Sequence, residues 1–103
     1  MIKITIFKKN DMICEYQVKG HSGYAEAGFD IVCSGVSTAT EMTLKALQDV
    51  LKLDVQADIK DGYMHVIVND YQRDDAQNIL KAMELTLEDI ANQYVKNVKL
   101  EVR

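Results

Sequence analysis

The chain has 103 residues, 48% of them hydrophobic and 27% charged, proportions of a folded protein that argue against disorder and fit one domain over 1–103. No apolar run approaches the roughly 20 residues a transmembrane helix needs. The alternating start Met1-Ile2-Lys3-Ile4-Thr5-Ile6 is unlike a signal peptide, so the expected location is the cytoplasm, with no membrane partner. A net charge of −4 and a pI near 5.0 argue against direct nucleic-acid binding, which relies on clustered Lys and Arg, and mildly favour a basic peptide or protein partner.

Ile2, Ile4 and Ile6 recur with the period of a half-buried strand. Met12, Cys14, Tyr16 and Val18 repeat it, with Lys9-Asn10-Asp11 as the hairpin turn between. From Val32 to Leu51 the spacing becomes helical, with Val32, Val36, Ala39, Thr43, Leu47 and Val50 on one stripe. Val55, Ala57 and Ile59 predict a third strand. Asp61-Gly62 follows as a tight turn with two positive-φ positions, and Met64, Val66 and Val68 predict a fourth strand. Ala76, Ile79, Leu80, Met83, Leu87, Ile90, Ala91 and Tyr94 mark a second helix, and Val98, Leu100 and Val102 a last strand. The order ββαββαβ, with one apolar face per element, predicts an α+β two-layer sandwich: one mixed sheet with both helices on one face.

One stretch does not read as scaffold. Gly20 to Asp30 has no periodicity and holds three of the five glycines, with His21 at one end and Cys33 just beyond the other. Asp30 is a good N-cap type, and capping there places Cys33 at the third helical position. A thiol in the first turn feels the positive end of the helix dipole and unpaired N–H groups, which favour the nucleophilic thiolate. The same N–H groups are candidates to hold an oxyanion. His21 is then the candidate base and, later, the acid for a leaving amine. Asp30 is open to two roles, cap or third catalytic member. Ser37, four residues beyond Cys33, either lines the site or bonds its own helix backbone.

Cys14 reads as core, His65 as structural on the strand face opposite Met64 and Val66, and the two cysteines as free thiols. Nothing in the spacing of Cys14, His21, Cys33 and His65 matches a structural zinc site, and there is no phosphate-binding glycine motif, so no metal or cofactor is expected.

The run Gly20-His21-Ser22-Gly23-Tyr24-Ala25-Glu26-Ala27-Gly28, then Asp30-Ile31-Val32-Cys33, then Val36-Ser37, resembles the ribosomal-processing cysteine proteases of the Prp family. The likeness extends over the whole chain in length and element order. It implies a catalytic dyad of His21 and Cys33, with Gly20, Ser22, Gly23, Gly28, Asp30 and Ser37 supporting the site or the substrate. It also implies a homodimer without metal or cofactor, and a loop that opens for the peptide on Gly23 and Gly28. The implied substrate is the N-terminal extension of a bacterial large-subunit ribosomal protein, cut after a Phe-Phe pair in support of ribosome assembly. The chain departs from the usual family pattern with Ser22 after the Gly-His pair and Ser34-Gly35 after the cysteine. The rival expectations are a non-catalytic module that binds a peptide or associates with the ribosome, and a thiol redox switch at Cys33.

Overall fold

The computed structural model describes residues 1–21 and 30–103. The described strands are β1 (Ile2–Lys9), β2 (Met12–Lys19), β3 (Val55–Lys60), β4 (Tyr63–Val68) and β5 (Val98–Val102). The helices are α1 (Ile31–Lys45), extended by a wider π-type turn over Ala46–Val50, and α2 (Arg73–Gln93), preceded by a short 3₁₀ turn at Asp70–Gln72. The strands form one sheet in the order β3-β4-β2-β1-β5. β2 pairs antiparallel with both β1 and β4, and β3 pairs antiparallel with β4, while β5 lies parallel to β1. The sheet is therefore mixed. β2 and β3 run in one direction with α1 as their crossover; β4 and β5 run in the other with α2 as theirs.

The alternating isoleucines of β1 are buried, and they meet Val32, Val36 and Leu47 of the α1 segment and Leu80 and Leu87 of α2 in one core. The opposite face of the sheet carries the polar set, where Gln17 pairs across from His65 and Lys3 from Lys19.

The first hairpin turns at Asn10 and Asp11, with φ of 54° and 64°. Asn and Asp tolerate this left-handed region, and two such residues give the turn whose twist suits a two-residue hairpin. The second hairpin differs from the sequence expectation: of Asp61 and Gly62, only Gly62 has positive φ, at 68°.

Three further expectations are corrected. The alternation in β2 breaks at a bulge, where Phe7 faces Glu15 but Lys8 faces Ile13. The extra residue, Cys14, is buried with its thiol on the Phe7 carbonyl, and Ile13, absent from the predicted stripe, enters the core with Tyr16. The bulge interrupts the ladder, and Gln77 of α2 repairs it: its side-chain oxygen accepts the Ile13 N–H and its amide donates to the Ile13 carbonyl, both at 2.8 Å. At the end of α1, the Leu51 N–H reaches back five residues to Ala46. The wider turn rotates the stripe, so Leu47 stays buried while Val50 is 76% exposed. Ile59 is 54% exposed because β3 is an edge strand.

Among the described residues Tyr16 is the largest fully buried side chain, and its hydroxyl donates to the Thr40 carbonyl of α1 at 3.0 Å. Burial pushes its phenol well above the ordinary value near 10. The folded state thus holds this proton more tightly than the unfolded chain, so the contribution is complete below about pH 10 and is lost as pH rises beyond it. Tyr16→Phe should cost about 1 kcal/mol at neutral pH through the lost hydrogen bond and flatten the decline in stability above about pH 10. Urea titrations from neutral to alkaline pH read both effects.

Gly35 lies inside α1, and a Cβ there would meet the Ile90 side chain of α2 at an ordinary 3.6 Å. Gly35→Ala should therefore stabilise the fold by about 0.5–1 kcal/mol, measured as a higher urea midpoint at unchanged slope.

Candidate active site

The site is assembled at the sheet end where β2 stops and the β3–β4 hairpin turns. Lys19 pairs with Tyr63, and one residue further on the Gly20 N–H donates to the Gly62 carbonyl at 2.8 Å. Gly20 has φ of 92°, and a Cβ on it would stand 2.5 Å from the Met1 carbonyl oxygen. Only glycine fits there, because both the backbone angle and the neighbouring main chain exclude a side chain. The sharp turn releases the chain from the sheet and delivers His21 beside the hairpin.

Cys33 arrives from the helix side. The Asp30 carboxylate oxygen Oδ1 accepts the Val32 and Cys33 N–H groups, each at 3.0 Å, making Asp30 the N-cap of α1 and Cys33 its third residue. The Ser34 N–H donates to the Asp30 main-chain carbonyl. This corrects one expectation: the first-turn N–H groups of Val32, Cys33 and Ser34 already have acceptors and are not an open oxyanion site.

Among the described residues, His21 and Cys33 line one cleft of about 230 Å³. Gly20, Ser37, Gly62 and Tyr63 border it too, with apolar surface from Val18, Val36, Ile59 and Met64 and charged groups from Glu41, Lys60 and Asp61. Ser37 thus takes a place on the cleft wall, one of the two roles open to it. Ser22, Gly23 and Gly28 lie outside the described residues.

The chain has two histidines and two cysteines, and the structure separates each pair. Cys14 is buried at the bulge, whereas Cys33 is partly open; neither is in a disulfide. His65 sits in β4 and pairs with the Glu15 carboxylate, and its strand neighbours Met64 and Val66 are buried in the core, as expected for a structural residue. A larger groove of about 540 Å³ between α1 and α2, bounded by Ile31, Met42 and Ile90, has no ionisable side chain among the described residues. Its described lining offers neither a thiol nor an imidazole, so volume alone does not mark the chemistry. The sequence reading missed the cleft's far wall: Gly62 was legible only as a turn residue, because its closeness to His21 depends on β2 pairing with β4.

Residues 1–99 match the family described as cysteine protease Prp. The chain belongs to that family. A ribosomal processing cysteine protease Prp from Staphylococcus aureus is 31% identical over 86 residues, covering 82% of this chain and 81% of the relative. A Bacillus subtilis protein of the same name is 28% identical over 107 aligned positions, covering 97% and 96%. The fold superposes on a crystal structure of the S. aureus Prp bearing a covalently linked product peptide, with a TM-score of 0.93, 27% identity and full coverage of both chains. The mixed five-stranded sheet and two helices are thus the Prp fold.

Within this Prp-family chain, the cap on α1 is separable from charge at position 30. Asp30→Ala should destabilise the protein by about 1 kcal/mol. Asp30→Asn, whose side-chain oxygen can still accept both N–H groups, should retain most of that stability. Thermal and urea unfolding of the two variants make the comparison.

Proposed function

We propose that this protein is a ribosomal-protein-processing endopeptidase in which Cys33 is the nucleophile and His21 its base. The observation that carries the reading is the sorting described above: of two thiols and two imidazoles, one of each borders the same cleft, at the sheet end where the helix begins. Its relatives' names and the product peptide linked to the S. aureus protein support the same chemistry.

The Cys33 sulfur attacks the carbonyl carbon before the scissile bond as His21 takes the thiol proton. The tetrahedral intermediate collapses when His21 returns that proton to the departing amine, leaving an acyl group on Cys33. Water, deprotonated by His21, then hydrolyses the thioester and restores the thiol. Because Asp30 holds the Val32 and Cys33 N–H groups, the oxyanion falls to another main-chain donor, with that of Ile31 in the same first turn the nearest in sequence. Asp30 acts as the cap, Gly20 as the turn that presents His21, and Ser37 as part of the cleft wall; Ser22, Gly23 and Gly28 belong to the segment that receives the peptide.

The substrate is the N-terminal extension of a bacterial large-subunit ribosomal protein, cut after a Phe-Phe pair. The apolar wall formed by Val18, Val36, Ile59 and Met64 suits an aromatic side chain, and the protein's negative charge suits a basic ribosomal partner. The enzyme works in the cytoplasm as a homodimer, without metal or cofactor.

A peptide spanning a Phe-Phe-Ala site, incubated with wild type, Cys33→Ala and His21→Ala and followed by mass spectrometry, tests the assignment. Wild type should make one cut, and each variant should lose on the order of 10³-fold or more in rate while staying folded. Residual cleavage by Cys33→Ala at the wild-type rate would sink the assignment. Binding without cleavage by all three would favour a peptide-binding module, and reversible oxidation at Cys33 without cleavage a redox switch.

A further inference from the structure

His21 is exposed, and a solvent-facing imidazole has rotamers to lose before it can serve one thiol. Something must limit them. One neighbour that the structure places beside the ring is Gly62 in the β3–β4 turn. A Cβ built on Gly62 would lie 3.0 Å from Nε2, 3.5 Å from Cε1 and 3.6 Å from Cδ2 of His21. The imidazole thus rests on the bare α-carbon, in the space a side chain would otherwise fill. Independently, the Gly62 carbonyl accepts the N–H of Gly20, the residue immediately before His21. One turn residue therefore bonds the main chain leading into the histidine and lies beside its ring.

We propose that Gly62 is a positioning residue for the His21 imidazole, acting through its lack of a side chain. The inference rests on the reading of His21 as the base. Its logic is mechanical. A contact of 3.0 Å forces one partner to give way. The Gly62 main chain is held on one side by the β4 pairing and on the other by Gly20, whereas the imidazole is the free end of a rotatable side chain. The ring moves, and the turn does not. The glycine in Asp61-Gly62 consequently has two tasks: its φ of 68° closes the hairpin, and its missing Cβ seats the base.

These two tasks are separable by substitution. Asn tolerates positive φ far better than Ala, yet both carry a Cβ. Gly62→Asn should hence keep the hairpin while displacing the ring, and Gly62→Ala adds backbone strain to the same displacement. With only two histidines in the chain, ring-proton NMR signals are readily assigned, and His65 serves as the internal control. In Gly62→Asn the His21 ring signals should shift while those of His65 stay in place. Cleavage of the Phe-Phe-Ala peptide should fall by about threefold to tenfold, mainly in kcat, with an altered pH profile and a melting temperature close to wild type. Unmoved His21 signals, or a wild-type rate and pH profile in Gly62→Asn, would overturn the proposal, as would equal shifts at His65, which would mark a general change of fold. If wild type itself fails to cut the peptide, it is the protease reading that falls; the ring signals still decide whether Gly62 seats His21.

Discussion

The antiparallel pairing of β2 with β4 is the constraint on which the rest of the site depends. These strands are distant in the chain, separated by α1 and β3, yet Lys19 stands opposite Tyr63 and the ladder continues one step further from Gly20 to Gly62. This pairing makes β2 central, leaves β3 at the edge, and brings the end of β2 to the β3–β4 turn. Because side chains alternate along a strand, a slip of β4 by one residue would turn Met64 and Val66 away from the core. Register in the core and geometry at the cleft are thus one requirement, and the burial of those residues holds the site in place from below.

The helix side obeys a separate local rule. Asp30 ends the non-helical chain and starts α1 by accepting two of its first N–H groups. The cap decides where Cys33 stands, and it also spends the donors that a free helix terminus would have offered to an oxyanion. A capped terminus and an open anion site are alternatives for any one N–H group. The thiol is thus placed by the helix, while the N–H groups that Asp30 holds are not open to an anion.

Much of this was legible in the sequence because it is local. The isoleucine alternation of β1, the turn at Asn10-Asp11, the long stripe of α2 and the capping by Asp30 each depend on residues a few positions apart. The misreadings share the opposite property. Val50 left its stripe because one π-type turn altered the helical period, and Ile13 entered the core because a bulge at Cys14 reversed the alternation. The bulge is tolerated because Gln77, 64 residues away, supplies the missing hydrogen bonds. No window around Ile13 contains that information. Likewise His21 and Cys33 were visible as a pair flanking one glycine-rich stretch, whereas the far wall of the cleft became visible only with the order of strands.

The two hairpins make the same distinction in miniature. The Asn10-Asp11 turn places both central residues in the left-handed region with side chains that tolerate it, and the structure uses no glycine there. The Asp61-Gly62 turn requires that region at only one position, where Asn or Asp would also serve on backbone grounds. Backbone geometry favours glycine at position 62 without excluding Asn or Asp. The difference between the turns lies in what they face, since the second turn has an imidazole against its α-carbon. The residue that closes this turn most readily also leaves the space above it open to the imidazole.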